Sequence, residues 1–90
     1  MDAKQKKELK ATAHHLKPVI RIGQKGMSDN LIAETNLALE KHELIKVHIQ
    51  QGEREERLAL AEQLVNATHA ELVHQIGKTF ILYRSNPPKE

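Results

Sequence analysis

Between Leu44 and Gln50 the side chains alternate without a break. Ile45, Val47 and Ile49 take one side, and Lys46, His48 and Gln50 take the other. Period-two alternation predicts a strand with one packed face and one face turned toward water. Its apolar side needs a second layer to cover it. With no cysteine in ninety residues, neither disulfides nor thiolate metal sites can supply that layer. A chain this short makes one domain and buries only roughly 60–65% of its unfolded surface, so its core must be compact.

The flanking sequence supplies the partners. Asp2 can cap a first helix with the inward stripe Leu9, Ala13 and Leu16, ending near Lys17 because Pro18 disfavours helical geometry in the residue before it. Val19-Ile20-Arg21-Ile22 reads as a short strand. Ser28 can cap a second helix buried through Leu31, Ile32, Thr35, Ala38 and Leu39. Gly52 ends the strand over 44–50. A third helix then turns Leu58, Ala61, Leu64 and Val65 inward. Two last strands, over 71–76 and 79–84, meet at the hairpin signal Gly77-Lys78.

The predicted fold is α/β, in the order α-β-α-β-α-β-β, with a four-stranded mixed sheet. The first two strands should be parallel, since a helix crosses between them, and the last two antiparallel. Right-handed crossovers put the second and third helices on one face. Arg21, Lys46 and His48 then share the opposite, more open face. These signals leave the order of the strands undetermined. Residues 1–84 form the domain, and Ser85 to Glu90, with Pro87-Pro88, is expected to be a mobile tail.

Net charge is only +2, but it is unevenly spread. Residues 1–26 carry seven Lys/Arg against two acids, and residues 27–90 carry seven against ten. This asymmetry points to a basic surface built from the first quarter of the chain, although a solvated lysine-rich helix would look the same. Phe80 and Tyr83 are the only aromatics, too few for a base-stacking platform. Any nucleic acid would therefore be held through phosphate, sugar and shape. No apolar run approaches the ~20 residues of a membrane helix, and the basic N-terminus lacks the apolar stretch of a secretory signal. A cytoplasmic location is the expectation.

Gly23-Gln24-Lys25-Gly26 joins a strand to a helix. Two glycines three apart let the backbone turn tightly and approach a ligand without a Cβ in the way. The helix N-terminus behind them suits a phosphate, and Lys25 adds a mobile charge. The same residues could be an ordinary turn. They form neither a Walker loop nor a dinucleotide fingerprint. Asp29 in the first helical turn would repel a phosphate placed too close, so the loop should grip from its lysine side.

Six histidines lack the spacing of a zinc site; no His-Glu-X-X-His occurs, and adjacent His14 and His15 point apart on a helix. No nucleophile, base and orienting group can be assembled from spacing either. No metal, cofactor or catalytic residue is expected.

Three ordered blocks carry a family resemblance. They are His15-Leu16-Lys17-Pro18-Val19-Ile20-Arg21-Ile22 running into the glycine loop, His42-Glu43-Leu44-Ile45-Lys46-Val47, and Ile76-Gly77-Lys78-Thr79-Phe80-Ile81-Leu82-Tyr83-Arg84. Together they resemble the chloroplast RNA splicing and ribosome maturation (CRM) domain in its free-standing bacterial YhbY-type form. The resemblance implies a fold similar to the C-terminal domain of the translation initiation factor that blocks subunit joining. It also implies association with precursors of the large ribosomal subunit, and RNA contact by the loop Gly23, Gln24, Lys25 and Gly26. Family loops often carry their lysine second. Here it stands third, which changes its reach along an RNA strand.

Charge and facing add Arg21, Lys46, Lys6, Lys7, Lys10, Lys17 and Lys78 to the candidate contacts. The expectation is a monomeric, non-catalytic RNA-binding protein that assists ribosome assembly on structured ribosomal RNA. The alternatives are a protein-interaction module docking on ribosomal proteins, and an enzyme or sensor holding a small phosphorylated ligand in the loop.

Overall fold

Three helices and four strands form in the expected order: α1 (Ala3–Ala13), β1 (Ile20–Ile22), α2 (Asp29–His42), β2 (Leu44–Ile49), α3 (Arg54–Thr68), β3 (Glu71–Ile76) and β4 (Thr79–Tyr83). This computed structural model describes residues 2–23, 26–50 and 52–86. The Asp2 carboxylate accepts from the Gln5 N–H at 2.7 Å, and the Ser28 hydroxyl accepts from the Leu31 N–H at 3.1 Å. Both caps satisfy donors that the first helical turn cannot pair internally.

The sheet order is β1-β2-β4-β3. β1 runs parallel to β2, and β4 is antiparallel to both β2 and β3. The hairpin thus folds β4 back into the interior of the sheet and leaves β3 at the edge. Phe80, Ile81 and Leu82 are all buried, as a strand covered on both faces requires.

Helices α2 and α3 cover one face, as their crossovers dictate. There Ile20, Ile22, Ile45, Val47, Ile49, Phe80 and Leu82 pack with Leu39, Ala61 and Leu64 into the main core. Thr35 and Thr68 lie buried in these helices, and their hydroxyls donate to the carbonyls of Leu31 (2.8 Å) and Leu64 (2.7 Å). Helix α1 crosses the opposite face and covers part of it. A second, smaller cluster forms there from Ala13, Leu44, Val73 and Ile81, with Leu9 and Tyr83 against it.

The first helix is shorter than expected. It ends at Ala13, not near Lys17, and Leu16 lies outside it, 36% exposed rather than part of the buried stripe. The reason is local: His15 N–H bonds to Thr12 O and Leu16 N–H to Ala13 O, tightening the chain into i→i+3 turns before Pro18 can act. Lys46 Nζ supplies a donor to the His14 carbonyl from across the sheet, at 3.4 Å. Strand β1 likewise starts at Ile20, although Val19 N–H already bonds to Lys46 O. Strand β4 ends at Tyr83, one residue early, where Arg84 turns inward.

Arg84 locks the two core helices together. Its guanidinium donates to Asn36 Oδ1 and Thr68 O, both at 2.8 Å, and to Asn36 O at 3.2 Å. Asn86, in the expected tail, makes three further bonds, to Glu43 Oε2, Leu39 O and Glu40 O. Residues 87–90 lie outside the described residues.

Candidate nucleic-acid interface

Parallel pairing sends β1 and β2 to the same end of the sheet, and the hairpin from β3 to β4 closes there too. The described residues that follow β1 and β2 and the Gly77-Lys78 turn therefore lie at one end of the sheet: Gly23, Gln50 and the hairpin. Two backbone bonds tie them to the sheet, Gln50 N–H to Ile22 O (3.1 Å) and Ile49 N–H to Lys78 O (2.9 Å). Gly26 N–H donates to Gly23 O at 3.1 Å. Gly26 has φ +67, which a side chain would strain. No protein atom lies within 4 Å of a Cβ built on Gly23 or Gly26. Both face open space, so a ligand backbone can come close. Gln24 and Lys25 lie outside the described residues.

The α1-side face of the sheet carries the cations. Arg21 is exposed and stands opposite His48, which in turn stands opposite Thr79 and, across β4, Ile76. The next row on the same face is Lys46, Ile81 and His74. Helix α1 lies against this second row. Lys7, Lys10 and His14, spaced three and four residues apart, share one side of the helix. With Lys46, Ala11, Ile76 and Ile81 they line a groove of about 370 Å³. Among the described residues no carboxylate lines it. The sequence-predicted residues Lys7, Lys10 and Lys46 thus converge on one groove, with Arg21 beyond it toward the glycine loop.

The other candidates do not converge there. Lys17 lines a separate apolar groove with Thr12, Leu16, Val19, His42, Leu44 and Ile45. Lys6 is exposed on α1 but does not line the cationic groove. Lys78 is exposed at the tip of the hairpin, where Arg54, Arg57, Gln75 and Gly77 line a third cleft on the α3 side.

Sequence reasoning passed over four of these residues. His14 was legible in its spacing from Lys7 and Lys10. Arg54 and Arg57 were masked by the acids beside them. Ile76 was not legible, because a bulge at Val73 and His74 shifts facing midway along β3. Phe80 is fully buried and Tyr83 is half-buried against α1, so no aromatic platform is presented on this face. Among the described residues no three His, Asp or Glu side chains cluster as metal ligands, and no helix is long and apolar enough to cross a membrane.

A mixed sheet with two helices behind it, a third across its front and a cationic groove beside a glycine turn defines a small α/β module with a face suited to a polyanion. The chain belongs to the CRS1/YhbY (CRM) domain family, whose model matches residues 1–84. It is 43% identical to the "Probable RNA-binding protein" of Pseudomonas aeruginosa over 92% of this chain and 80% of that one. It is 41% identical to "Probable RNA-binding protein YqeI" of Bacillus subtilis over 96% of this chain and 90% of that one. The fold matches the solution structure of a Staphylococcus aureus protein described as a candidate RNA binder. The TM-score is 0.85 at 38% identity, covering 100% of this chain and 94% of that one.

Proposed function

We propose that this protein binds structured ribosomal RNA in precursors of the large ribosomal subunit and assists their assembly. It does so as a cytoplasmic monomer and without catalysis. One observation carries the RNA reading: Lys7, Lys10 and Lys46 converge on one groove near Arg21, with no carboxylate among its described lining residues. Relatives named as RNA-binding proteins support it. The ribosomal part rests on the family resemblance in the three sequence blocks.

In this reading the lysines and Arg21 neutralise phosphates, and the open backbone at Gly23 and Gly26 admits the RNA strand. Phosphate contacts position an RNA, and its shape selects it. Binding should weaken steeply with salt, with a log–log slope of about −0.7 to −0.9 per neutralised phosphate. Replacing Lys10 or Lys46 by Ala should each reduce that slope by roughly 1 and weaken all RNAs alike. A slope unchanged in both variants would refute this mechanism.

The assembly role is tested by sedimenting a cell extract and locating the native protein. A peak at or just behind the large subunit, absent from translating ribosomes, is the expected result. Protein found only at the top of the gradient, at low salt as well as high, would remove the ribosomal assignment. Association that survives nuclease treatment would favour docking on ribosomal proteins instead.

A further inference from the structure

Phosphate contact leaves Ile76 unexplained. This last residue of β3 is 57% exposed and lies in the cationic groove with Ile81. A paired RNA helix offers a protein its phosphates and the 2′-hydroxyls of a shallow minor groove. None of these gains by covering an isoleucine, because a polar group desolvated without a partner costs free energy. Lys7, Lys10 and Lys46 line the same groove.

A ligand matching both parts must present an apolar plate and negative charge together. The groove, at about 370 Å³, lies at the small end of the roughly 300–1,000 Å³ typical of ligand sites. An unpaired nucleotide meets these demands. Its base, turned out of the stack, shows a flat face that apolar side chains can hold, and its flanking phosphates carry the charge. Thr79 stands opposite Ile76 in the β3–β4 register, on the same face and outside the residues that line the groove.

We propose that the groove between α1 and the hairpin end of the sheet seats a single unpaired nucleotide of an otherwise structured RNA. The base lies against the exposed Ile76, above the buried Ile81, and the flanking phosphates lie on Lys7, Lys10 and Lys46. The proposal rests on the RNA-binding reading above and narrows its substrate to RNA with an extruded nucleotide.

The test uses the full chain and two synthetic RNA hairpins, identical except for one unpaired adenosine within the stem of the second. The expected preference for the bulged hairpin is about fivefold, the effect of covering roughly 40 Å² of Ile76 at about 25 cal/mol per Å² of apolar surface. Ile76→Ala should abolish that preference and leave affinity for the paired hairpin unchanged. Ile76→Phe, which supplies a ring, should enlarge it. Lys46→Ala should weaken both hairpins together. Ile76 is mostly exposed, so thermal melting of both variants should match the parent and separate this effect from misfolding. Equal affinity of the parent for the two hairpins, or a preference that survives Ile76→Ala, overturns the proposal while leaving the RNA reading intact. Failure to bind either hairpin at low salt overturns both.

Discussion

The two faces of the sheet are built from the same strands and put to opposite uses. Behind it, Ile20, Ile22, Ile45, Val47, Ile49, Phe80 and Leu82 are closed off by α2 and α3. In front, α1 covers Leu44, Val73, Ile81 and part of Tyr83, through Ala13 and Leu9. Arg21, Lys46, His48, Thr79 and Ile76 remain wholly or partly accessible around it. The difference is one of helix count and composition. Two amphipathic helices bury a whole apolar face, whereas one lysine-rich helix with a narrow stripe can bury only part of a mixed one. The strip left uncovered is where charge and one isoleucine meet, so the incomplete layer makes the binding surface.

If this division of labour is right, substitutions behind the sheet should change stability and those in front should change RNA affinity. The largest effect on stability is expected from Phe80→Ala, at about 3–5 kcal/mol, read as a lowered urea midpoint. A loss under 1 kcal/mol would mean the rear core is not the main store of stability.

Arg84→Met should follow. It removes a charged donor from Asn36 Oδ1, Asn36 O and Thr68 O and leaves partly buried acceptors unpaired, a cost of about 2 kcal/mol. Thermal melting would show it, with RNA affinity per folded molecule unchanged.

The glycine loop sharpens the comparison at smaller scale. Gly26→Ala places a side chain at φ +67 and should cost about 1–2 kcal/mol. Gly23→Ala meets no protein atom within 4 Å and needs no positive φ, so melting should hardly move. RNA affinity should nevertheless fall in Gly23→Ala, because the added methyl occupies the path of the ligand backbone. Intact affinity there would show that the RNA does not approach Gly23. The smallest stability change, within about 0.5 kcal/mol, is expected for Lys7→Ala and Lys10→Ala, which are exposed.

Much of this arrangement was legible beforehand. The period-two run in β2 and the period-3.6 stripes of α2 and α3 reported their own facing, since each apolar position had one direction in which to be buried. Asp2 and Ser28 announced helix starts through side-chain chemistry that acts within three residues. The place of β4 inside the sheet was not read from the sequence, and the folded sheet accounts for it: Phe80, Ile81 and Leu82 are all buried, whereas β3 at the edge is mixed. Lys7, Lys10 and Lys46 were legible as cations with a common outward facing. Their meeting in one groove was not, because Lys46 and α1 are joined only through the folded sheet.

Local chemistry therefore determined the elements, their caps, the parallel sense of β1 and β2, the antiparallel hairpin of β3 and β4, and the side on which α2 and α3 pack, but not the pairing of β2 with β4. Each of these depends on neighbours in the chain or on the handedness of a crossover. Tertiary structure alone decided where α1 lies and where it stops, the bulge that turns both Val73 and His74 to its side, and the exposure of Ile76 beside three lysines. These depend on contacts between residues tens of positions apart. A strand edge can pair, and a short apolar stripe can dock, in several ways of similar local energy until the packed core selects one.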